Sequence, residues 1–387
     1  MKNDLSRRQQ MTVDLGKQIN RHASIMLQEL IRGGNGKNVV FSPLASFTLL
    51  SMLADATSGK TKEEITKVLC EGNELNQLVK DLAKLKRQIE GSEEYSSANA
   101  VIVREDIHEN LAPDYKDRLS ELFGGRLFIS DNLAAHLDPW VRKSTGGIIP
   151  SVSNESMKEM MLCMINACAF VTAWKTQYEE SAIVYENFHN ADHTTSRVQM
   201  LHSYELTYVE NERFTGFAKP YKGDAFSYMV LLPKNKKLLF DDPYFELDFS
   251  KLIQGVDNTF AKVVMPEFHC STDTDLTDIM KKLGIHTVFT PQADFSSLSS
   301  EWLKVGSIKH RAHIEVDRKG TKAAAVAYDD FLCGSMPVVC PEEKYVLVNR
   351  PFLFAVVHNA TGTPVFFGAI QHLDAQKGTG EYTDLEE

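Results

Sequence analysis

The stretch HRAHIEVDRKGTKAAAVAYDDFLCGS, residues 310–335, is the part of the chain from which the rest is best interpreted. Residues 312–317 alternate apolar and polar side chains, which is the period of a half-buried β-strand. Gly320 is soon followed by a run of small residues, mostly alanine, at 323–327. Alanine is the best helix former, so this run can be a helix, or it can be a segment that must enter a space with little room for side chains. Because the run continues a strand and leads into residues that lack helical apolar spacing, the second interpretation is favoured.

Seven other segments between residues 20 and 373 accompany this stretch. Each is a weak motif alone, but together and in this order they resemble the serpins, protease inhibitors that trap a target by inserting their own cleaved loop into a β-sheet. Residues 310–335 resemble the hinge and reactive-centre loop of that family. The segments are FSPLASFTLLSMLADATSGKTKEEI from Phe41, ANAVIV from Ala98, WVRKSTGGII from Trp140, INACAFVTAWK from Ile165, MVLLPK from Met229, DLTDIMKKLGI from Asp275, and NRPFLFAVVHNATGTPVFFGAI from Asn349.

The resemblance implies a mixed α/β (α+β) fold, the serpin fold, with a large central sheet A, two smaller sheets, about eight or nine helices and an exposed reactive-centre loop at about residues 318–340. A chain of 387 residues with 43% hydrophobic content can bury a large core, and no linker divides it. We therefore expect a single domain over residues 1–374. Residues 375–387 are acidic and have few apolar side chains, which predicts a disordered tail.

Charge and composition limit the classes of partner. The 42 basic and 52 acidic residues give a formal charge of −10, which argues against nucleic acid as a general partner. No apolar run approaches the roughly 20 residues that a membrane span needs. No CxxC pair or histidine cluster suggests a metal, and nothing indicates a cofactor.

The amino-terminal residues 1–20 have charges but no apolar core of the kind that a secretory signal needs. We expect a cytoplasmic protein, or a secreted one if a leader has been removed. A chain of this length does not need disulfides, and a disulfide in the expected loop would constrain it, so the cysteines there are predicted to be free thiols. The six cysteines are Cys70, Cys163, Cys168, Cys270 and, in the expected loop, Cys333 and Cys340.

Apolar spacing predicts amphipathic helices at residues 16–32 and 75–90, and Pro43 is placed to begin a helix between them. Thr61 is expected to cap the next helix, with Glu64 completing the capping box. In some serpins a basic surface near residues 75–90 binds sulfated polysaccharide; here the interspersed acidic residues favour a solvated helix face. The basic residues of this helix are Lys80, Lys84, Lys86 and Arg87.

Residues 160–174 are nearly all apolar, as expected for a central strand covered on both faces, and the resemblance places them in sheet A. Asn166 is the strongly polar exception, and a buried amide must be hydrogen-bonded. The resemblance supplies partners, because Ser42 and His310 match the serpin shutter, the hydrogen-bonded cluster beneath the point where sheet A parts. A serine that is common in that cluster is Ala45 here, which leaves one hydrogen bond fewer.

The resemblance assigns Trp174, Glu267 and Arg318 to the breach, the top of sheet A. Many serpins carry a glutamate two residues before the hinge glycine and a lysine after the proline of the neighbouring strand. This chain has Arg318 and Glu267 there, so the signs are exchanged. We expect the ion pair to persist in reverse and to help hold the top of sheet A closed; the alternative is two unrelated surface charges.

Catalytic alternatives have weaker support. His310, Asp317 and Ser335 could be arranged as a nucleophilic triad, and Cys333 with His310 as a thiol dyad. No GxSxG elbow accompanies them, and His310 lies in a predicted strand beside apolar neighbours, where a structural histidine is the commoner outcome. We therefore do not expect an enzyme.

The resemblance implies a suicide-substrate inhibitor that traps a serine protease as its acyl-enzyme when the cleaved loop inserts into sheet A. Insertion needs small residues in the hinge and no proline, and residues 320–336 contain no proline. The alternative is a non-inhibitory serpin with a chaperone, carrier or storage role. We expect a monomer that forms a covalent complex with its protease and is at risk of loop–sheet polymerisation. The hinge residues are Gly320, Thr321, Ala323, Ala324, Ala325 and Ala327.

The register of the family places the scissile bond between Gly334 and Ser335, with the bond between Cys333 and Gly334 as the next choice. No Lys or Arg lies between Ala323 and Glu343, and a trypsin-like pocket requires a cation. The expected target is therefore an elastase-like or other apolar-preferring serine protease. A cysteine protease is the alternative.

Asp329 departs from the pattern of an easily inserted strand. Counting by two from Thr321 puts it on the strand face that would turn towards the core on insertion. Burial would raise the pKa of its carboxyl group. We expect Asp329 to slow insertion, and trapping to improve as the pH falls.

Overall fold

The structure is a computed structural model that describes residues 2–70, 74–91, 94–129, 132–235, 245–321 and 342–375. Within these ranges the chain forms eight α-helices and seventeen strands in three sheets. The predicted mixed α/β architecture, with one large sheet and two smaller ones, is confirmed. None of the described helices combines the length and the apolar character that crossing a membrane requires.

Helices such as the third and the fourth pack through one apolar stripe, whereas the second is buried on nearly every side. The first helix buries Ile19, Ala23 and Met26 completely, as its apolar spacing predicts. The second begins at Pro43, where the Ser42 hydroxyl accepts a hydrogen bond from the Ala45 amide and caps the helix. The bounds are α1 Lys2–Gly33, α2 Pro43–Ala56, α3 Gly59–Cys70, α4 Leu75–Glu90, α5 Tyr115–Phe123, α6 Leu133–Ser144, α7 Phe249–Leu252 and α8 Thr277–Lys282.

The predicted capping box at the start of α3 is wrong. α3 begins at Gly59, so Thr61 lies inside the helix, where its hydroxyl accepts a hydrogen bond from the Asp294 amide at 3.0 Å. The Glu64 carboxylate accepts from the amides of His286 and Thr287. Both side chains fasten the loop after α8 instead of capping their own helix, a tertiary use that local sequence spacing does not reveal.

Sheet A has seven strands and contains the predicted loop-insertion region. Its order is β3-β2-β4-β13-β14-β5, and β12 pairs with β13 as well. β4 and β13 run parallel at the centre, while β12 and β2 flank them in antiparallel fashion. The bounds are β2 Tyr95–Val103, β3 Gly125–Ile129, β4 Leu162–Phe170, β5 Thr172–Ala173, β12 Phe268–Asp275, β13 Val305–Val316 and β14 Gly320–Thr321.

The two smaller sheets are called sheet B and sheet C. Sheet B has the order β1-β17-β16-β10-β9-β8 and sheet C the order β15-β11-β7-β6. Sheet B consists of β1 Val39–Phe41, β8 Thr207–Glu210, β9 Phe214–Pro220, β10 Phe226–Pro233, β16 Phe352–His358 and β17 Thr363–Ile370; sheet C consists of β6 Ile183–His189, β7 Thr195–Glu205, β11 Thr259–Pro266 and β15 Glu342–Leu347.

β4 is buried on both faces, which explains its continuous apolar run. Met164 and Cys168 face the main core, which also contains α1, α2 and sheet B. Ile165 and Ala167 face a second apolar cluster, shared with α6. Opening sheet A beside β4 therefore disturbs two packed layers at once.

Candidate functional site

The centre of sheet A is closed by the parallel pairing of β4 and β13. The register runs from Val305 opposite Leu162 to His313 opposite Ala169, and it places His310 directly opposite Asn166. An additional strand between them would replace one parallel ladder by two antiparallel ones, since the loop would return from β13 in the opposite direction. Antiparallel pairing is slightly more stable per residue, and the number of backbone hydrogen bonds would rise.

His310 occupies the predicted shutter position and is fully buried. Its Nε2 accepts a hydrogen bond from the Ser42 amide at 3.0 Å, so the neutral ring carries its proton on Nδ1. Burial lowers the pKa of His310 from 6.5 to about 4, which keeps the ring neutral at physiological pH. The Ser42 hydroxyl lies 3.1 Å from the hydroxyl of Tyr95 on β2. Ser42 thus connects β13, α2 and β2.

Asn166 is brought opposite His310, but its hydrogen bond goes elsewhere. Its Nδ2 donates to Asn99 Oδ1 at 2.8 Å, and Asn99 Nδ2 donates to the Phe123 carbonyl. Among the described residues, neither Asn166 Oδ1 nor His310 Nδ1 has a hydrogen-bond partner. The three residues that the resemblance assigned to the shutter therefore lie together, while only Ser42 and His310 are directly hydrogen-bonded.

Asn99 and Lys86 are part of this region and were not predicted. Asn99 is a buried amide within the apolar segment ANAVIV, the same signal that identified Asn166, so it could have been found. Lys86 gave no such signal, because its helix is ordinarily amphipathic. Its side chain is buried, donates to the Phe123 carbonyl at 2.6 Å and pairs with Glu90. Lys86 is therefore removed from the basic surface considered for polysaccharide binding.

His22 is a second buried histidine beside the shutter. Its Nε2 lies 2.8 Å from the Ser46 hydroxyl, which donates to the Pro43 carbonyl. Burial, together with the nearby His310, lowers the pKa of His22 from 6.5 to about 3. Ser46 directly follows Ala45. The family commonly has a serine at position 45, so we expected the shutter to have one hydrogen bond fewer there.

At the breach, the two residues with exchanged charges, Arg318 and Glu267, are in direct contact. Arg318 Nε lies 3.2 Å from Glu267 Oε1, which also accepts from the Arg318 amide at 2.9 Å. Arg318 further contacts Glu180 at 2.9 Å and Gln199 at 3.1 Å. Its side chain is 28% exposed and that of Glu267 13%. This partial burial makes the pair stronger than a typical exposed one, although its role in holding the sheet closed stays a prediction.

Changing Arg318→Glu is expected to increase spontaneous polymerisation several-fold, because a third carboxylate would then lie beside Glu267 and Glu180. A lost charged hydrogen bond costs roughly 1.5–3 kcal/mol, and repulsion adds to it. Glu267→Lys in the same chain should restore parent behaviour. The measurement is the monomer fraction on size-exclusion chromatography after incubation just below the melting temperature, with Lys319→Glu as the matched control. A double variant that polymerises as fast as the single one would show that the pair does not act as a clasp.

Gly320 and Thr321 are already part of sheet A. They form β14, which pairs with β5 on one side and with Val316 of β13 on the other. The exposed loop expected at about residues 318–340 therefore does not include these two residues, which are buried in the sheet. A Cβ at Gly320 would lie 2.3 Å from the Thr172 carbonyl oxygen, so only glycine allows this approach.

Thr321 is anchored by a cluster of aromatic side chains. Its hydroxyl lies 2.6 Å from that of Tyr221, and the Tyr221 ring stacks on Trp174 with centroids 4.6 Å apart. Trp174 Nε1 donates to the Asp317 carbonyl at 2.8 Å. The Thr321 side chain thus points to the interior, as the predicted inserted face requires. Trp174 was expected here; Tyr221 was missed, because nothing in its local sequence distinguishes it.

The remaining loop positions lie outside the described residues, which end at 321 and resume at 342. Their predicted roles stay predictions. They are the hinge residues Ala323, Ala324, Ala325 and Ala327, the inserted-face residue Asp329, the scissile-bond candidates Cys333, Gly334 and Ser335, and Cys340.

The described residues do not support the catalytic alternatives that used His310. His310 is enclosed, and Asp317 lies 317 − 310 = 7 positions further along the same extended chain, roughly 23 Å away at about 3.3 Å per residue. Four described cysteines are free and buried, and burial raises the pKa of the Cys163 thiol to about 12. No group of three or more potential metal ligands occurs in the described part of the chain.

Known proteins match this chain along nearly its whole length. A family model described as "Serpin (serine protease inhibitor)" matches residues 17–373. The chain is 28% identical over 372 residues to plasminogen activator inhibitor 1 from Bos taurus, with 89% of each chain covered. It is 27% identical over 374 residues to neuroserpin from Gallus gallus, with 91% of this chain and 89% of that one covered.

Solved structures give the same result for the fold. The thermophilic serpin tengpin in its native state matches with a TM-score of 0.80 and 26% identity, covering 92% of this chain and 94% of that one. Thyroxine-binding globulin in complex with thyroxine matches with a TM-score of 0.78 at 20% identity, covering 92% and 99%, and this likeness shows the fold alone. Because the family model spans nearly all of the sequence and the three-sheet architecture agrees, the chain belongs to the serpin family.

Proposed function

We propose that this serpin is a suicide-substrate inhibitor of a serine protease with an elastase-like, apolar-preferring specificity. The observation that carries the proposal is β14: Gly320 and Thr321 already pair with β5 and β13, so the loop enters sheet A at the top of its closed central pairing. Residues 323–327 are small, and no residue up to Met336 is proline.

The mechanism uses the difference in stability between the closed and the expanded sheet. The catalytic serine of the protease attacks the Gly334 carbonyl and forms an ester, and the Ser335 amine leaves with the proton that the protease supplies. The loop is then covalently attached to the protease at one end and joined to β13 at the other. As it inserts between β4 and β13 it carries the protease away, and inhibition succeeds when insertion is faster than hydrolysis of the ester.

The sequence of the loop supports the choice of protease. Residues 324–342 offer no cation to a trypsin-like pocket, while small and apolar side chains surround the Gly334–Ser335 bond. The protein would act as a monomer and form a covalent complex with its target. A non-inhibitory role as carrier, chaperone or storage protein is the alternative, and a cysteine protease is an alternative target.

The test is incubation of the protein with equimolar pancreatic elastase, with papain in a parallel sample. We expect a complex with elastase that survives denaturing electrophoresis. We also expect a released peptide whose intact mass is that of a chain beginning at Ser335. A sample cleaved once in the loop by a protease that escapes should melt at a markedly higher temperature than the intact protein. Cleavage without complex formation and without a rise in melting temperature would support the non-inhibitory alternative, and cleavage after Leu332 or Met336 would overturn the register.

A further inference from the structure

A cavity of about 360 Å³ lies between α1, α3 and the loop that follows α8. α1 contributes Gln18, His22 and Ile25, which spacings of four and three residues place on one face of the helix. α3 contributes residues from its C-terminal half, including Lys67. At about 30 Å³ for each water-sized group, the volume corresponds to roughly twelve non-hydrogen atoms, which is enough for a small organic ligand. We call this space the α1–α3 cavity.

The walls of the α1–α3 cavity are held in place by hydrogen bonds that do not involve a ligand. Gln18 Nε2 donates to the Cys70 carbonyl at the end of α3, at 3.3 Å. On the other side, the Glu64 carboxylate accepts from the amides of His286 and Thr287 at 2.9 and 2.8 Å, which fixes the loop after α8. A cavity that is already formed costs a ligand less ordering free energy than one that must first open.

The floor of the cavity carries an unused hydrogen-bond acceptor on His22, which is only 7% exposed. The Ser46 hydroxyl donates its one proton to the Pro43 carbonyl, so His22 must donate from Nε2 to the Ser46 oxygen. The neutral ring therefore leaves Nδ1 as an acceptor, and Nδ1 has no partner among the described residues. Unlike His310 Nδ1, this atom is not sealed off, and the cavity is the space that its ring borders. A ligand in the cavity can donate a hydrogen bond to it.

The rim of the cavity is positively charged. Arg21 on α1 and Lys67 on α3 are the exposed charged residues of the lining. The carboxylate of the lining, Glu64, already accepts on both oxygens, from two amides and from the Thr287 hydroxyl. With His22 neutral, the lining has a net charge of about one positive unit, which favours an anion. Apolar side chains make up most of the rest, namely Ile25, Val68, Leu69 and Leu283.

We propose that the α1–α3 cavity binds a small carboxylate that has an apolar body and a hydroxyl group at its far end. The carboxylate pairs with Lys67 and Arg21 at the rim, and the hydroxyl donates to His22 Nδ1 at the floor. The exposed cations set the orientation, while the buried acceptor discriminates against a ligand that leaves it without a partner. The inference does not depend on the proposed inhibitory function, because no residue of the reactive-centre loop takes part.

The test is isothermal titration calorimetry with para-hydroxyphenylpropionate, which carries its carboxylate and its hydroxyl at opposite ends of an apolar body. We expect one ligand to bind per protein with a Kd of about 1 mM or lower. Phenylpropionate lacks the hydroxyl, and tyramine has an ammonium group in place of the carboxylate. Each of these two compounds should bind at least about five-fold more weakly.

Two variants locate the ligand. Lys67→Glu should weaken the binding of para-hydroxyphenylpropionate about ten-fold, because the rim then repels the carboxylate. Lys80→Glu makes the same charge change at an exposed position of α4 outside the cavity, so it is the matched control and should bind like the parent. His22→Phe should bind para-hydroxyphenylpropionate and phenylpropionate equally, since a phenyl ring has no acceptor for the hydroxyl. Lys67 is exposed, so Lys67→Glu tests the proposal even if His22→Phe does not fold.

Several results would overturn the proposal. One is the absence of saturable binding to the parent up to about 10 mM ligand, a concentration well above the expected Kd. Another is equal affinity of the parent and Lys67→Glu, which would place the ligand elsewhere. If tyramine binds as tightly as the carboxylate, or if His22→Phe keeps the parent's preference for the hydroxyl, the assigned class of ligand is wrong.

Discussion

Replacing Thr321 by arginine is expected to abolish the proposed inhibition and to leave the protein a substrate of its target protease. Thr321 is fully buried, and its hydroxyl reaches that of Tyr221 at 2.6 Å. An arginine at this position would bring a larger, charged side chain against Tyr221, whose ring stacks on Trp174. An unpaired buried charge costs several kcal/mol, so the arginine must stay outside and insertion must begin without its first anchor.

The effect on trapping should be large, because insertion competes with hydrolysis of the acyl-enzyme. A barrier raised by roughly 3 kcal/mol slows insertion more than 100-fold. We expect almost every encounter with elastase to end in cleaved inhibitor and free protease. The measurement is the number of inhibitor molecules consumed per protease trapped.

Thr321→Val is the matched control, because it keeps the shape of the side chain and removes only the hydroxyl. It should raise the number of inhibitor molecules consumed per trapped protease only modestly, since Tyr221 loses one hydrogen-bond partner. Should Thr321→Arg still trap elastase with close to one molecule per enzyme, the anchoring role of Thr321 would have to be abandoned.

Acidification is expected to destabilise the protein steeply between pH 6.5 and 4, because two histidines are buried in their neutral form. The folded-state pKa is about 4 for His310 and about 3 for His22, against 6.5 for a solvated ring. Below pH 6.5 the unfolded chain therefore binds protons that the folded chain does not, so stability is complete above that pH and is lost as the pH falls. At pH 5 each histidine costs roughly 2 kcal/mol of unfolding free energy.

The measurement is urea unfolding at pH 7.5 and pH 5 for the parent and for His310→Gln. Between pH 7.5 and pH 5 the unfolding free energy of the variant should fall by about 2 kcal/mol less than that of the parent. The variant starts from a lower stability, because the Ser42 amide no longer has the imidazole nitrogen as its acceptor. His372→Gln, which removes a half-exposed ring, is the control and should follow the parent. If the unfolding free energy falls equally in the parent and in His310→Gln, His310 is not held neutral by the fold.

The sequence predicted most of the fold because several elements have strong local signals. The apolar run around Leu162–Phe170 predicts a strand covered on both faces, and Pro43 after a capping serine predicts the start of α2. The ordered motifs added the arrangement of the sheets, which periodicity alone does not supply. Even so, α1 begins at Lys2 and not near residue 16.

The candidate site was predicted less completely, because its contacts join residues far apart in the chain. Asn166 and Asn99 are 67 positions apart, and Thr321 and Tyr221 are 100 apart. Arg318 was paired with Glu267 only through the family resemblance, and its second carboxylate partner, Glu180, was missed. The insertion of Gly320 and Thr321 depends on the space beside Thr172, a property of the assembled sheet that no local pattern contains.

The pairing of β1 with β17 has a consequence for how the protein is made. Val39–Phe41 lie against Phe367–Ala369, so one edge of sheet B is completed only by residues that emerge from the ribosome more than 300 positions later. The residues of the inserting loop are synthesised before β16 and β17. During translation the segments of sheet A and the loop are thus both available while sheet B is unfinished, so we expect premature insertion of the loop to compete with correct assembly. We expect productive folding to depend on rapid docking of β16 and β17, which makes this C-terminal hairpin the place where chaperones and proteases in the cell would most strongly influence the yield of active protein.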